Sequence, residues 1–277
     1  MSTSEINNIF EIWKLKQVEL KKSLILKNSE SWQDKLDFKI KNVNDIVIPD
    51  DLRLIGGIDI SFDKVNSNNA CVCITVVDAS TKQLLTKHEK LVTITEPYIV
   101  NYLAFRECEH MVNTIKEFLV LHSNLKPHVL LVDGNGVHHQ SGFGSASHLG
   151  VRLEQEGIVI PTVGVAKNYL QLQGMPTRDE LKAKISSEID GGSEIMIELT
   201  NGDENDPICI VRRCNKSKLS SHLEKLGKLA FISVGHRITL RTATNVVRIC
   251  SNCRMPEPIL QADHYAKDFL IKISKNL

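Results

Sequence analysis

LLVDGNGVHHQSGFGSASHLG, residues 130–150, is the stretch whose reading decides the fold. The apolar run 129–132 stops at Asp133, and Gly134, Asn135 and Gly136 follow. An apolar run, an acid and then glycines reads as a buried strand whose last side chain emerges at a turn. In α/β proteins ligands sit at the carboxyl ends of strands. Gly142 and Gly144 let backbone N–H groups come close to a ligand. Ser145 reads as the N-cap of a helix running to about residue 153, and such a helix start attracts anions. Taken alone, the stretch fits an ordinary Asp-Gly turn after a core strand equally well.

Strands and helices continue on both sides of it. Residues 5–27 carry Ile6, Ile9, Phe10, Trp13, Leu20 and Leu24 at helical spacing, and residues 28–53 read as a polar connection. LIGGIDIS (54–61), ACVCITVVD (70–78) and residues 83–95 read as three strands of an antiparallel meander. Pro97 opens a long helix from Tyr98 to about residue 122, and the strand ending at Asp133 follows. A helix over 145–155 and a strand over 161–166 come next. Beyond Lys167 the pattern gives helices over 178–189, 220–227, 239–249 and 259–274, and strands over 194–199, 208–213 and 229–234. A helical crossover makes the fourth strand parallel to one of the first three. If that neighbour is the first strand, Asp59 and Asp133 lie side by side. The expected class is α/β: a mixed five-stranded central sheet flanked by helices, with an extra N-terminal helix and further C-terminal strands and helices. One domain spans 1–277, with a helical extension (1–53), a core (54–253) and a tail (254–277).

Composition narrows the class. At 42% hydrophobic and 24% charged the chain can bury an ample core. It lacks an apolar run of about 18 residues, so no membrane span is expected. The polar opening MSTSEINN is unlike a secretory or mitochondrial signal, and seven scattered cysteines fit a reducing compartment. Cys250 and Cys253 have no second pair at zinc spacing. The net charge is only +1, yet residues 212–254 hold ten Lys/Arg against one acid, and 178–206 hold nine acids. That asymmetry reads as a basic face for a polyanion, or as two ordinary solvated faces.

Three acids stand out. Asp59 lies inside a strand between Ile58 and Ile60, where an acid is costly unless paired, metal-bound or on an exposed edge. Glu107 sits within the stripe Leu103, Met111, Ile115, so its helix aims a carboxylate at the core or a cleft beside it. Asp133 ends the fourth strand. Like charges a few ångströms apart repel strongly, and a divalent cation with oxygen ligands relieves them. Metal-assisted phosphoryl transfer uses such a constellation.

The blocks GGIDIS, PYIVNYLAFRE, LLVDGNG, GFGSASHLGV, PTVGVAK and SVGHRI resemble, in order, the motifs of the endonuclease V family, and RMPEPILQAD resembles the tail of its animal members. The resemblance implies a ribonuclease H-like fold and dependence on Mg²⁺, with Mn²⁺ able to substitute. It implies cleavage at the second phosphodiester bond 3′ to inosine, leaving a 3′-hydroxyl and a 5′-phosphate. Animal members act mainly on RNA and bacterial ones on DNA, so inosine-containing single-stranded RNA is the first expected partner and deaminated DNA the second. A monomer in the cytoplasm or nucleus, nucleolus included, is expected.

Carried over by position, the family's acids fall on Asp59, Glu107 and Asp133, its SVGH histidine on His236, its VAK lysine on Lys167 and its wedge tyrosine on Tyr98. The chemistry of these residues agrees. Tyr98 at a helix start can insert between stacked bases. Lys167 at a strand's end can meet a phosphate, and His236 can ligate metal or orient water, although a lone His is more often structural. Gly134, Gly136, Gly142 and Gly144, with His139, are candidates for base contacts. Backbone N–H groups facing O6 and a carbonyl facing N1–H would accept hypoxanthine and reject adenine. The base must leave the stack to reach them. Three positions depart from the family: Val100 ends PYIV where PYIP is usual, and Ser141 stands where relatives often have Arg. Arg241 stands where some animal relatives carry an acid, so no fourth carboxylate is expected. Two other functions remain open, a DNA-repair endonuclease and an inosine-RNA-binding protein whose cutting is incidental.

Overall fold

A computed structural model describes residues 3–188, 194–202, 207–214 and 229–276. The helix expected over 220–227, Asp190, and the lysines and acid between 215 and 228 lie outside the described residues. The elements in chain order are α1 (Thr3–Lys21), α2 (Ser31–Asp34), β1 (Leu54–Phe62), β2 (Asn69–Asp78), β3 (Leu84–Thr93), α3 (Leu103–Leu121), β4 (Val129–Asp133), α4 (Ser145–Gln155), β5 (Thr162–Ala166), α5 (Arg178–Ser187), β6 (Glu194–Leu199), β7 (Cys209–Cys214), β8 (Leu229–His236), α6 (Leu240–Ile249) and α7 (Glu257–Asn276).

All eight strands join one sheet in the order β3-β2-β1-β4-β5-β8-β7-β6. Five strands were expected at the centre; the later three extend that sheet instead of standing apart from it. β1 to β3 form the antiparallel meander. α3 carries the chain across to β4, which runs parallel to β1 with Ile58 opposite Val132. The next residues in that register are Asp59 and Asp133, so the two acids leave adjacent strands at one level.

Alternation along the strands sorts the core. Ile55, Val129 and Leu131 pack on one face with α6, the start of α7 and the segment before β1. Ile58, Leu130 and Val132 pack on the other face with α3 and α4. The first face therefore receives Gly57, Asp59 and Asp133. A Cβ on Gly57 would meet the Pro258 backbone at 2.3 Å, and the Thr75 hydroxyl donates to the Pro258 carbonyl at 2.7 Å. This close docking seats α7 across β1 and β2.

Two expectations for the N-terminal half need correction. Residues 28–53 are no mere polar connection: Trp32, Leu36, Ile40 and Leu52 are buried. Asn245 and Arg248 of α6 tie their backbone down, donating to the carbonyls of Leu36 and Phe38 and of Ile40. Helix α3 begins at Leu103 rather than Tyr98, because Asn101 takes a positive φ of 69° that no helix continues through. Leu103 is itself exposed, so the buried stripe is Ala104, Glu107, Cys108, Met111, Ile115.

Candidate active site

The acids gather where β1, β4 and α7 meet. Asp59 is buried in β1, and Asp133 is half-buried at the end of β4. Glu107, 7% exposed, approaches from α3 on the other side of the sheet. A fourth carboxylate, Asp263, arrives from α7 and shares a hydrogen bond with Asp59. Two cations face Asp133. Lys167, the first residue beyond β5, donates to Asp133 at 2.5 Å, and Arg254 feels the Asp133 charge.

The electrostatics follow from this imbalance. Burial holds the Asp59 carboxyl well above the usual range, and the Asp133 charge and the shared hydrogen bond with Asp263 add to the effect. Burial likewise raises Glu107 to about 7, with the Arg106 charge opposing and Asp133 reinforcing the rise. For Asp263 burial works upward, and hydrogen bonds from Lys267 and Asp59 outweigh it, leaving the group below its ordinary value. For Lys167 burial works against the charge, and Asp133 outweighs it. Asp59 and Asp263 therefore titrate as a linked pair, with Asp59 holding its proton more tightly. Lys267 and Arg106 also act here, on Asp263 and Glu107, yet among the described residues no cation is hydrogen-bonded to Asp59 or Glu107, so the two buried acids are left short of positive charge.

The shortage is what a bound cation would relieve, and hard oxygen donors are the set that Mg²⁺ prefers. Among the described residues no three His, Cys, Asp or Glu groups already surround one point at ligand spacing. Asp133 leans toward Lys167 and Asp59 toward Asp263 instead. The donor chemistry fits a divalent cation, with Asp59, Asp133, Asp263 and Glu107 as the available oxygens.

His236 does not join them. It pairs with Thr162 at the opening of β5, whereas Asp133 lies level with Val165 near that strand's close. Its Nδ1 accepts the Ile25 N–H at 3.2 Å, and its Nε2 bonds Glu154, which also holds Arg237. Both ring nitrogens are engaged at 1% exposure, so the ring that was expected to ligate metal or orient water is held here in structural contacts away from the acids of the site. Asp263 was missed, and its signal was present. It lies on α7 beside the buried stripe Ile259, Ala262, Ala266, Leu270, the same pattern that singled out Glu107.

The loop after β4 is built differently from the expectation. Gly144, not Ser145, is the N-cap of α4. The N–H of Gly134 goes to Val165, that of Gly136 to the Ser233 hydroxyl, that of Gly142 to His139 and that of Gly144 to Gly136. None of the four glycine N–H groups is left to read a base. Gly136 serves packing: a Cβ there would sit 1.9 Å from the Val234 carbonyl oxygen. Gly142 serves the turn, with φ at 64°. His139 accepts the Ser141 N–H on Nδ1, which leaves the proton on Nε2. Burial drops its pKa to about 4, so the ring is neutral.

Tyr98, 65% exposed, sits at the tip of the turn before α3, with Val100 exposed beside it. Asn101 of that turn donates to the Gln140 side chain at 2.7 Å, joining the tyrosine turn to the glycine loop. The N-terminal helix braces both. Lys21 and Gln17 donate to the carbonyls of Ser141 and Phe143, and Phe10 packs edge-on against Tyr102 at 5.3 Å. The expected basic face is partly internal: Arg212 and Arg248 are buried on Glu194.

Known proteins resemble this chain in sequence and in fold. The sequence profile described as Endonuclease V matches residues 34–264. Endonuclease V of Mus musculus is 33% identical over 259 residues, which is 94% of this chain and 69% of that protein. The solved catalytic domain of human endonuclease V superposes with a TM-score of 0.80 at 32% identity, over 97% of this chain and 98% of that one. Ciona intestinalis endonuclease V, solved with a 24mer DNA containing an inosine followed by a ribo-adenosine, gives 0.76 at 28% identity, over 96% and 99%. The fold is thus the ribonuclease H-like mixed sheet of these structures. Among the described residues no helix is long and apolar enough to cross a membrane.

Proposed function

Since the chain belongs to the endonuclease V family, and so is a nuclease, we propose that it cleaves RNA at the second phosphodiester bond 3′ to inosine. The products would carry a 3′-hydroxyl and a 5′-phosphate. The observation that carries the reading is the meeting of Asp59, Glu107, Asp133 and Asp263 at the end of β4, with Asp59 and Glu107 buried, raised, and without a hydrogen-bonded cation among the described residues. Asp59, Asp133 and Asp263 would hold Mg²⁺, or Mn²⁺ in its place, with Glu107 beside them. A cation bound there supplies an activated water and balances charge on the leaving oxygen.

The chain's own groups divide the remaining work. Glu107, poised near neutrality, can take or return a proton beside Asp133. Lys167 keeps its charge in this acidic corner and is placed to meet a phosphate oxygen. Tyr98 presents an exposed ring that can fill the gap left by a flipped base. With the glycine N–H groups engaged, hypoxanthine recognition falls to other groups of the 135–145 loop. The Nε2–H of neutral His139 is one donor suited to O6. A ribose beside the lesion is supported by the ribo-adenosine that follows inosine in the strand bound by the Ciona relative. The same strand is otherwise DNA, which favours deaminated DNA as the second substrate. The reading places the protein with RNA in the cytoplasm or nucleus, acting as a monomer.

Cleavage of one inosine RNA is compared with its adenosine twin and with the matching inosine DNA, each with and without Mg²⁺. The expected result is metal-dependent cutting of the inosine RNA at the second phosphodiester bond 3′ to inosine, and no cutting of its adenosine twin. Equal cutting of both RNAs, or cutting that survives chelation, would overturn the reading; faster cutting of DNA would move it to the repair alternative.

A further inference from the structure

Lys167 has an anchoring problem that the sheet does not solve. β5 ends at Ala166, so the Lys167 carbonyl lies past the ladder, without a strand partner. Its side chain nevertheless has to hold one place beside Asp133. Arg254 meets both needs. Its Nη2 donates to the Lys167 carbonyl, and its Nε donates to the Leu229 carbonyl at 2.8 Å. One planar guanidinium thus ties the end of β5 to the beginning of β8, its antiparallel neighbour.

Arg254 is fixed from behind as well. Buried Arg212 donates to the carbonyls of Cys253 at 2.7 Å and Arg254 at 3.4 Å. The Glu257 N–H reaches the Cys250 carbonyl at 2.8 Å, and Ser251 bridges Pro256. The residue is half-buried and lies within reach of the Asp133 charge. A guanidinium that bridges two carbonyls in this way constrains position more tightly than an ammonium, because its fork is rigid.

We propose that Arg254 is the positioning residue of Lys167, setting where that lysine leaves β5 and hence where its ammonium sits beside Asp133. The proposal rests on the nuclease reading and adds a residue to it. A misplacement of about 1 Å in a positioned group can cost on the order of 10²-fold in rate. Turnover of inosine RNA is measured for the wild type, Arg254→Ala, Lys167→Ala and the double variant, with thermal unfolding of each. A wild type that does not cut ends the nuclease reading itself.

Given a wild type that cuts, Arg254→Ala should lower kcat by about 30-fold or more with KM nearly unchanged. In the Lys167→Ala background the same change should cost less than about threefold, because the two residues act as one unit. Equal losses in both backgrounds would overturn the proposal, as would an Arg254→Ala protein that cuts at the wild-type rate. If Arg254→Ala does not fold, Arg254→Lys carries the same comparison. It keeps the charge and loses the fork, so it should lower kcat only while Lys167 is present. A lysine there that supports full turnover would overturn the idea equally well.

Discussion

Two charged clusters sit in this sheet, and they are opposites. At the edge strand β6, Glu194 is 5% exposed in its side chain and held by Arg212 and Arg248, at 2.9 Å and 2.5 Å. Arg248 also donates to the Ile40 carbonyl and to Asn245, so its hydrogen-bonding capacity is largely filled. At the end of β4, Lys167 pairs with Asp133 and Lys267 with Asp263, whereas Asp59 and Glu107 have carboxyls raised by burial and, among the described residues, no cation hydrogen-bonded to them. Depth of burial does not separate the clusters. Balance does: a filled ion cluster is scaffold, whereas an unbalanced one has capacity left for a ligand. His236 belongs with the filled kind, although its motif placed it with the other.

The largest effect expected from that contrast is on Asp133. Asp133→Asn should reduce cleavage by roughly 10³-fold or more, as loss of a principal charge-stabilising group does, while the unfolding midpoint holds or rises. Near-wild-type turnover would remove Asp133 from the chemistry. Asp263→Asn should follow the same pattern, with its linked titration with Asp59 lost.

The mirror experiment is Glu194→Gln, which strands two buried arginines. It should destabilise the fold by about 3–5 kcal/mol, with turnover per folded molecule unchanged. A stable protein with poor turnover would erase the distinction between the clusters. His236→Asn should likewise lower the midpoint of unfolding and leave turnover of the folded fraction intact. A variant that unfolds normally but no longer cuts would return His236 to the active site.

Acidity gives a smaller effect, with a definite sign. Glu107 binds its proton more tightly in the folded chain, at about 7, than at the ordinary value of 4.5. Between those values the native state holds more protons than the unfolded one, so stability falls as pH rises through the window. Half-buried His139 and buried His148, lowered to about 4, act with the opposite sign, so the Glu107 contribution is read as a difference: from pH 5 to pH 8 the metal-free wild-type midpoint should fall relative to that of Glu107→Gln. Mg²⁺ should reduce that difference. A slope identical in all three conditions would mean that the acid corner is not the source. The smallest effect is Tyr98→Ala, at an exposed ring with no hydrogen-bond partner among the described residues. Stability should change by less than about 0.5 kcal/mol, and preference for inosine should weaken. Unchanged selectivity would remove the ring from recognition.

What was legible in the sequence was local or nearly so. The strand ending at Asp133 is signalled by an apolar run and a turn, and Glu107 by its place in a helical stripe. One helical crossover made β4 parallel to one of the first three strands and left open which; the structure pairs it with β1. What was not legible depends on distant packing. Asp263 acquires its meaning only when the Pro258 turn docks against Gly57. The glycine N–H groups looked available because composition does not reveal their partners in β5, β8 and their own loop. The start of α3 was misplaced because a single left-handed residue, Asn101, leaves no composition signal.

The docking of α7 divides this molecule in an unexpected way. Every strand is complete by residue 236, yet Arg254 and Asp263 both follow it. The Asp59–Asp263 contact closes a loop of 204 residues (263 minus 59). Closure over such a span is entropically late in folding. The sheet alone therefore brings Asp59 beside Asp133, and only the seating of α7 and the segment before it adds Asp263 and Arg254.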